Sequence, residues 1–322
     1  MAPLGNLVRL LPLHIAELPF HPALEALIHA EEISKISADE RPNLFSFVKE
    51  VLDEATRFVE DTLPNTFKEG SLKSSSPSKG QVRLWSRDIQ STEIQSVPWT
   101  NAVIPRNQSA KAKKPAETWF ARSSRHANSK TEGTADFDEF DWGLRVNHSK
   151  HEQEYTPDVF DSYKVLDWSD QIREAIDIGT PIENYRDINM SIFEMCHALP
   201  AMLSNRIFSV VVVTAKAGDQ SFITVQIPVD ISNLTAAFYS NGRNLKEGDS
   251  SLKRKKPVVG VYTSIERGQL TNDEETEWVM ATASDAKGYL PMGMQKLGVP
   301  SAVVKDVGLF MRYIQNTRSS TK

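Results

Sequence analysis

Short runs along the chain carry apolar residues on both faces of an extended strand. In the stretch from Ile207 to Ala215, Phe208, Val210 and Val212 point to one side and Ile207, Val211 and Val213 to the other. Successive side chains alternate across a strand, so both of its faces must be covered. Ile188 to Ala198 precedes this run. Phe222 to Val229 follows it across the turn Lys216–Asp219, which predicts an antiparallel hairpin. Val258–Glu266 and Glu277–Ser284 predict a second hairpin, and Val82–Ile89 and Trp119–Arg122 two further strands.

Helical spacing appears in three regions. At the N-terminus Leu7, Val8 and Leu11 share a face before Pro12, and Leu24, Leu27 and Ile28 follow Pro22. The strongest stripe is Leu44, Val48, Val51, Leu52, Ala55 and Val59, which ends before Pro64 because proline cannot continue the ladder. Phe137, Phe140, Leu144 and His148 predict one helix reaching Pro157. The last stripe has Met294 and Leu297, a bend at Gly298-Val-Pro300, then Val303, Val307, Phe310 and Ile314. Polar stretches near 68–80, 105–117, 126–135 and 240–256 read as mobile surface loops. Helices, then antiparallel strands, then a closing helix give an α+β class. The expected division is an N-terminal helical segment, 1–66, and a main domain, 80–316.

Composition narrows the role. The 322 residues suffice for a substantial core, and the apolar fraction of 40% fits a folded protein with polar insertions. A net charge of -5 gives no general pull toward nucleic acid, so none is expected as a partner. Cys196 is the single cysteine, which rules out an intramolecular disulfide and suggests a reducing, cytoplasmic setting. No run approaches the roughly 18 apolar residues of a membrane span.

Candidate chemistry is sparse. His148, His151 and Glu152 could share a helix face and hold a metal, but the zincin order is absent and a solvated face is the preferred reading. His197 could work as an acid or base with Glu194 or Asp187, against a buried histidine bonded to backbone. Cys196 has no basic neighbour and reads as an inert core thiol. The basic runs Lys253–Lys256 and Lys111-x-Lys-Lys114 are of the kind that makes transient contact with lipid headgroups, with solvated loops as the default. No catalytic residue, metal site or cofactor is assigned.

The corner Asp285-x-Lys-Gly-Tyr-Leu-Pro291, between a strand and the last helix, resembles that of START lipid-transfer domains. Asn205-Arg206-Ile-Phe208, at the head of an apolar strand, is similar to their Pro-Arg-Asp-Phe. A START-like family of fungal proteins, known only as a domain of unknown function, resembles the chain more fully, over roughly 80–316. There the resemblance includes Trp119-Phe-Ala-Arg122, Asn147-His-Ser, Glu154-Tyr-Thr-Pro157, Cys196-His-Ala-Leu-Pro200 and Ala281–Pro291.

The resemblance implies a helix-grip fold: a curved antiparallel sheet wrapped around a long C-terminal helix, with extra N-terminal helices outside. It implies a cavity walled by Phe193, Phe208, Val210 and Val212 from the strands and Met294, Leu297, Val303 and Phe310 from the helix. Phe193 and Val212 fall where cholesterol-type START domains carry an internal acid and arginine, so a more apolar interior is expected. The favoured role is non-catalytic binding or transfer of a lipid, sterol or polyketide-like molecule. A START-like cyclase and an interaction scaffold with a filled core are the alternatives.

Overall fold

A single antiparallel sheet dominates the computed structural model, which describes residues 5–28, 37–95, 116–177, 182–199, 203–271, 274–288 and 292–320. Its strands are β1 (Leu13–His14), β2 (Lys68–Lys73), β3 (Val82–Ile89), β4 (Glu117–Ala127) and β5 (Val159–Asp167), then β6 (Arg186–His197), β7 (Arg206–Lys216), β8 (Ser221–Asp230), β9 (Val258–Leu270) and β10 (Glu275–Asp285). Their order is β2-β3-β4-β10-β9-β8-β7-β6-β5, with β1 added beside the end of β8. β9 pairs with β8 only as far as Gln226, and its first residues pair directly with Arg206–Phe208 of β7. β8 leaves the gap between them and runs on to meet β1 at Val229 and Asp230.

The helices are α1 (Leu44–Arg57), α2 (Leu63–Thr66), α3 (Ser91–Gln95), α4 (Phe137–Leu144), α5 (His148–Tyr155), α6 (Ser169–Asp177), α7 (Asn244–Glu247) and α8 (Met292–Ser320). Asn43 caps α1 by accepting from the Phe45 and Ser46 amides. The buried stripe of α1, Val48, Val51, Leu52 and Ala55, covers one face of the sheet, where Val211, Val213, Val225 and Ile227 belong to the same apolar cluster. α8, α4 and α5 cover the opposite, concave face, where Phe222, Trp278 and Val82 of the sheet meet Phe310 of α8 in a second cluster. The curved sheet gripping a long C-terminal helix is the expected architecture. Among the described residues no helix is long and apolar enough to cross a membrane.

Several local expectations change. Residues 5–28 contain no α-helix. They run as bends, β1 and two single 3-10 turns at Ile15–Glu17 and Pro22–Glu25. Pro12, Pro19 and Pro22 interrupt every helical register there. The helix expected from Phe137 to Pro157 is two, α4 and α5, because Asn147 takes the left-handed conformation at φ 49°. Asparagine tolerates that region better than most residues. The Ser-rich stretch 68–80 begins with strand β2, and 126–135 includes the end of β4. Most of 105–117 lies outside the described residues.

The corner before α8 is fixed by Arg206. Asp285 Oδ1 accepts the Lys287 amide at 2.9 Å, and Lys287 and Gly288 both have positive φ. Arg206, buried at the head of β7, donates Nε to the Ala286 carbonyl at 2.5 Å, Nη2 to the Lys287 carbonyl at 3.2 Å, and Nη1 to the Ser204 carbonyl. A Cβ on Gly288 would stand 3.2 Å from Arg206 Nη2, so glycine serves both the turn and the close approach. Tyr289-Leu-Pro291 falls outside the described residues. Arg206→Met is expected to cost about 2–3 kcal/mol, because charge-assisted hydrogen bonds to three carbonyls are lost together. Urea denaturation checks it, and an unchanged midpoint would refute the anchoring role.

Candidate functional site

Alternation along the strands decides what the concave face presents. β4 sends Arg122 inward while Trp119 and Ala121 join the outer cluster. β10 sends Trp278 inward, opposite Ser124 of β4 and Gly268 of β9. β9 contributes Tyr262, Ser264 and Glu266, in register with Ser284, Thr282 and Met280. β8 contributes Thr224 and Gln226, paired with Thr214 and Val212 of β7. This face therefore has three zones.

Toward the C-terminus of α8 it is closed. The Phe310 ring lies 5.2 Å from Phe140, 5.2 Å from Trp278 and 5.8 Å from Tyr155, with Val307, Met311 and Ile314 around it. At the other end lies a separate apolar cluster of Val159, Phe193, Met195, Phe208, Val210 and Val212, with Tyr262 against it. Phe193, Phe208, Val210 and Val212 thus sit together. Val303 is 3% exposed yet belongs to none of the apolar clusters, whereas Phe310 is enclosed by rings. The Met294 and Leu297 side chains fall outside the described residues.

Between the two apolar zones runs a polar belt. Arg122 is 1% exposed, and its guanidinium lies 3.8 Å over the Trp278 ring, a cation–π arrangement. Its Nε and Nη1 have no hydrogen-bond partner. Trp278 Nε1 donates to Glu266 Oε2 at 2.9 Å. Glu152 of α5 approaches from the helix side. A fifth of its side chain is accessible, but its Oε2 is enclosed, makes no hydrogen bond and stands 3.6 Å from His148 Nε2. Burial, and then the negative charges of Glu266 and Asp306, push the Glu152 carboxyl up to about 8. Asp306 of α8, half-buried, is raised to about 6 by burial, with Arg122 opposing. Tyr262 donates its hydroxyl to Gln226 Oε1.

A cleft of about 170 Å³ opens beside this belt, where α5 begins. Phe193 and Val212 line its apolar side, and Arg145, Lys164 and Asp187 its charged side. Lys164 is held by Asp167 at 2.6 Å, and Arg145 by the two oxygens of Asp141. Ser149, also on the cleft, has a buried and unpartnered Oγ. His148 connects the cleft to the belt. Its Nδ1 donates to the Leu144 carbonyl at 2.7 Å, which leaves Nε2 to accept from the Gln226 amide at 3.1 Å.

His148 and His151 are therefore buried and not a solvated face. His151 Nδ1 is 3.1 Å from the Trp142 carbonyl, and burial lowers its pKa. Among the described residues no group of three or more His, Cys, Asp or Glu is placed to hold a metal. His197 packs edge-on against Phe208 at 5.3 Å, and burial lowers it to about 4. Its expected partner Glu194 points to the opposite face and accepts from the Phe238, Tyr239 and Ser240 amides. Asp187 stands at the far end of β6. Cys196 is buried, and its thiol pKa is pushed far up, mainly by burial. In the basic run, Lys253 is 3.5 Å from Asp161 while Arg254, Lys255 and Lys256 are exposed. Lys111–Lys114 lies outside the described residues.

An interior free of charge does not follow from Phe193 and Val212. Those two positions are apolar, but Arg122 and Glu266 bring charge in from β4 and β10's neighbour β9. One signal was available in the sequence: Arg122 alternates against Trp119 and Ala121, on the side of Phe120, in a strand of mixed polarity.

A family model described as a protein of unknown function, DUF3074, matches residues 119–314. No curated protein sequence matches the chain. The structure of human StAR-related lipid transfer protein 5 superposes with a TM-score of 0.51 at 11% identity, over 85% of this chain and 97% of that one. Human STARD10 gives 0.50 at 10% identity, over 83% and 82%. At such identities the likeness is one of fold, and the fold is START-like.

Proposed function

This chain belongs to the DUF3074 family, and from that premise we propose that it binds or transfers a hydrophobic small molecule between the sheet and α8, without catalysis. The ligand class is a lipid, a sterol or a polyketide-like molecule. One observation carries the reading. The polar belt leaves Arg122 Nε and Nη1 and Ser264 Oγ buried without hydrogen-bond partners, next to a small buried apolar cluster separate from the two larger ones. Each such group costs about 1–3 kcal/mol in a sealed interior. An amphipathic guest resolves that cost by matching its polar end to the belt and its apolar body to Phe193, Phe208 and Val210. Burial of the guest at roughly 25 cal/mol per Å² supplies the driving force.

Native mass spectrometry of the purified protein tests this. A co-purifying small molecule supports the carrier, and a ligand-free, tightly packed protein supports the scaffold reading. Val303→Trp sharpens the test. It is expected to abolish uptake of a fluorescent sterol or fatty-acid probe with a near-native melting temperature, whereas overpacking of solid core would cost about 1–3 kcal/mol. Uptake that survives this substitution with unchanged melting would remove Val303 from the wall.

A second reading, a START-like cyclase, draws on a single feature: Glu152 keeps a proton near neutral pH. Turnover of a polyketide substrate that Glu152→Gln abolishes without loss of binding would favour the enzyme.

A further inference from the structure

We propose that Ser76 is a phosphorylation site, and that a phosphate on it is held between Lys305 and Arg312, stapling the turn after β2 to α8. Its effect on ligand exchange rests on the binding reading above; the site itself does not.

The Ser-rich connection between β2 and β3 is tied down. The Ser78 amide donates to the Ser75 carbonyl at 2.8 Å, and the Lys79 amide to the Gly133 carbonyl at 2.9 Å, which closes and pins the turn. Ser75 is buried against α8. Its Oγ accepts the Gly308 amide at 2.9 Å and donates to the Lys305 carbonyl at 3.4 Å. A Cβ on Gly308 would collide with the Ser76 carbonyl oxygen, so the missing side chain lets the turn reach the helix backbone.

Lys305 and Arg312 stand three residues before and four after Gly308, on the same side of the helix. They are about 10 Å apart along the axis, a span that two long side chains close from either end. With Ser74, Ser75, Ser76 and Ser301 they line an open cleft of about 360 Å³, and no carboxylate lines it. Both cations are exposed. Among the described residues neither forms an ion pair, although Lys305 acts on Asp306 of the belt. Two unpaired cations around a serine hydroxyl, with no acid between them, suit a phosphate ester. Ser75 is engaged and enclosed, whereas Ser76 is exposed and its backbone lies at Gly308, between the two cations. A serine kinase using a nucleoside triphosphate supplies the step. Ser76 Oγ attacks the γ-phosphorus, the bond to the β–γ bridging oxygen breaks, the nucleoside diphosphate leaves, and the hydroxyl proton passes to the kinase's base. The phosphate brings a charge of about −1.5 to −2 at pH 7 to this face of α8. The same helix carries Val303, so the staple sets how readily the proposed wall moves.

The full chain with phosphoserine installed at position 76 by genetic code expansion tests the staple. Phosphorus NMR should show its titration midpoint lowered from about 6 to about 5.5 or below, because both cations favour the dianion. Lys305→Ala combined with Arg312→Ala should return the midpoint to about 6, and so should about 0.5 M salt on the unaltered side chains. A midpoint of about 6 without either change would overturn the proposal, as would a lowered midpoint that neither change moves. Mass spectrometry of the chain recovered from a eukaryotic expression host should find phosphate on Ser76, and its absence there would remove Ser76 as an acceptor. A fluorescent sterol or fatty-acid probe should leave the phosphorylated chain about two- to fivefold more slowly, the range an exposed ion pair supplies. Unchanged release would overturn the effect on exchange. Failure of the probe to bind either form would refute the carrier reading instead, and the phosphorus titration would still decide the staple.

Discussion

Removing residues 1–40 is expected to abolish cooperative unfolding. The segment lies outside the matched family region, 119–314, yet it closes the outer face of the sheet. Val8, Leu10, Leu13, Ile15, Leu18 and Leu24 are all buried in the cluster that contains Val211, Val225 and Ile227. At about 1.5–3 kcal/mol per buried side chain, six of them amount to roughly 10 kcal/mol or more, comparable to the whole net stability of a domain. The polar bookkeeping points the same way. Glu54 accepts the Leu7 and Val8 amides at 2.9 and 2.8 Å, Glu117 accepts the Leu10 amide at 2.8 Å, and Arg41 donates to the Ile15 carbonyl at 2.6 Å. Truncation strands Glu54, Glu117 and Arg41 without these partners in a largely apolar surround. Circular dichroism melts of the truncated and full chains check this. A truncated chain that melts cooperatively near the full chain's midpoint would mean that the segment is an accessory layer.

The same segment shows what a sequence pattern conveys and what it hides. Alternation in β7 and β8 was legible, because both faces of those strands are apolar and burial on both sides admits one reading. The stripe of α1 was legible for the same reason. The N-terminal stretch misled because its apolar residues are spaced helically by chance between prolines, while their burial comes from bends, the short β1 and 3-10 turns packed on the sheet. α4 and α5 read as one helix because the break rests on a single left-handed residue, Asn147, with apolar positions continuing in step on either side. β5 and α6 were missed because Val159–Asp177 is only half-covered and its pattern is mixed.

The site was legible in outline only. Phe193, Phe208, Val210 and Val212 come from adjacent strands, so local alternation sufficed to group them. The belt was not, because Arg122, Glu152, Glu266 and Asp306 are brought together by strand order and by the crossing of α5 and α8. In the sequence Glu152, Glu266 and Asp306 read as ordinary surface charges. Only the register, with β4 beside β10 and β10 beside β9, turns Arg122 and Glu266 toward the same interior.

Phe310→Ala is expected to cost about 3–5 kcal/mol, the range for removing a large aromatic side chain from a core that cannot collapse around the gap. Phe310 stands about two turns along α8 from Val303, so the two positions test packed core against the proposed wall on one helix. The surroundings of Phe310 are rigid. Phe140 stacks on it, Trp278 and Tyr155 meet it at angles, and Gly143 of α4 approaches so closely that a Cβ there would stand 2.6 Å from the ring. Arg318, farther along, ties α8 to Glu139 of α4 and to the Thr131 and Thr134 carbonyls. The C-terminal half of α8 thus bolts the helix into the sheet, and the half around Val303 and Asp306 faces the belt. Thermal unfolding and probe uptake, measured together, read the difference. Phe310→Ala should melt much lower, with uptake retained below its transition, while Val303→Trp should do the reverse. Loss of uptake in Phe310→Ala at an unchanged melting temperature would place Phe310 in the ligand wall and move the boundary between bolt and pocket toward the C-terminus.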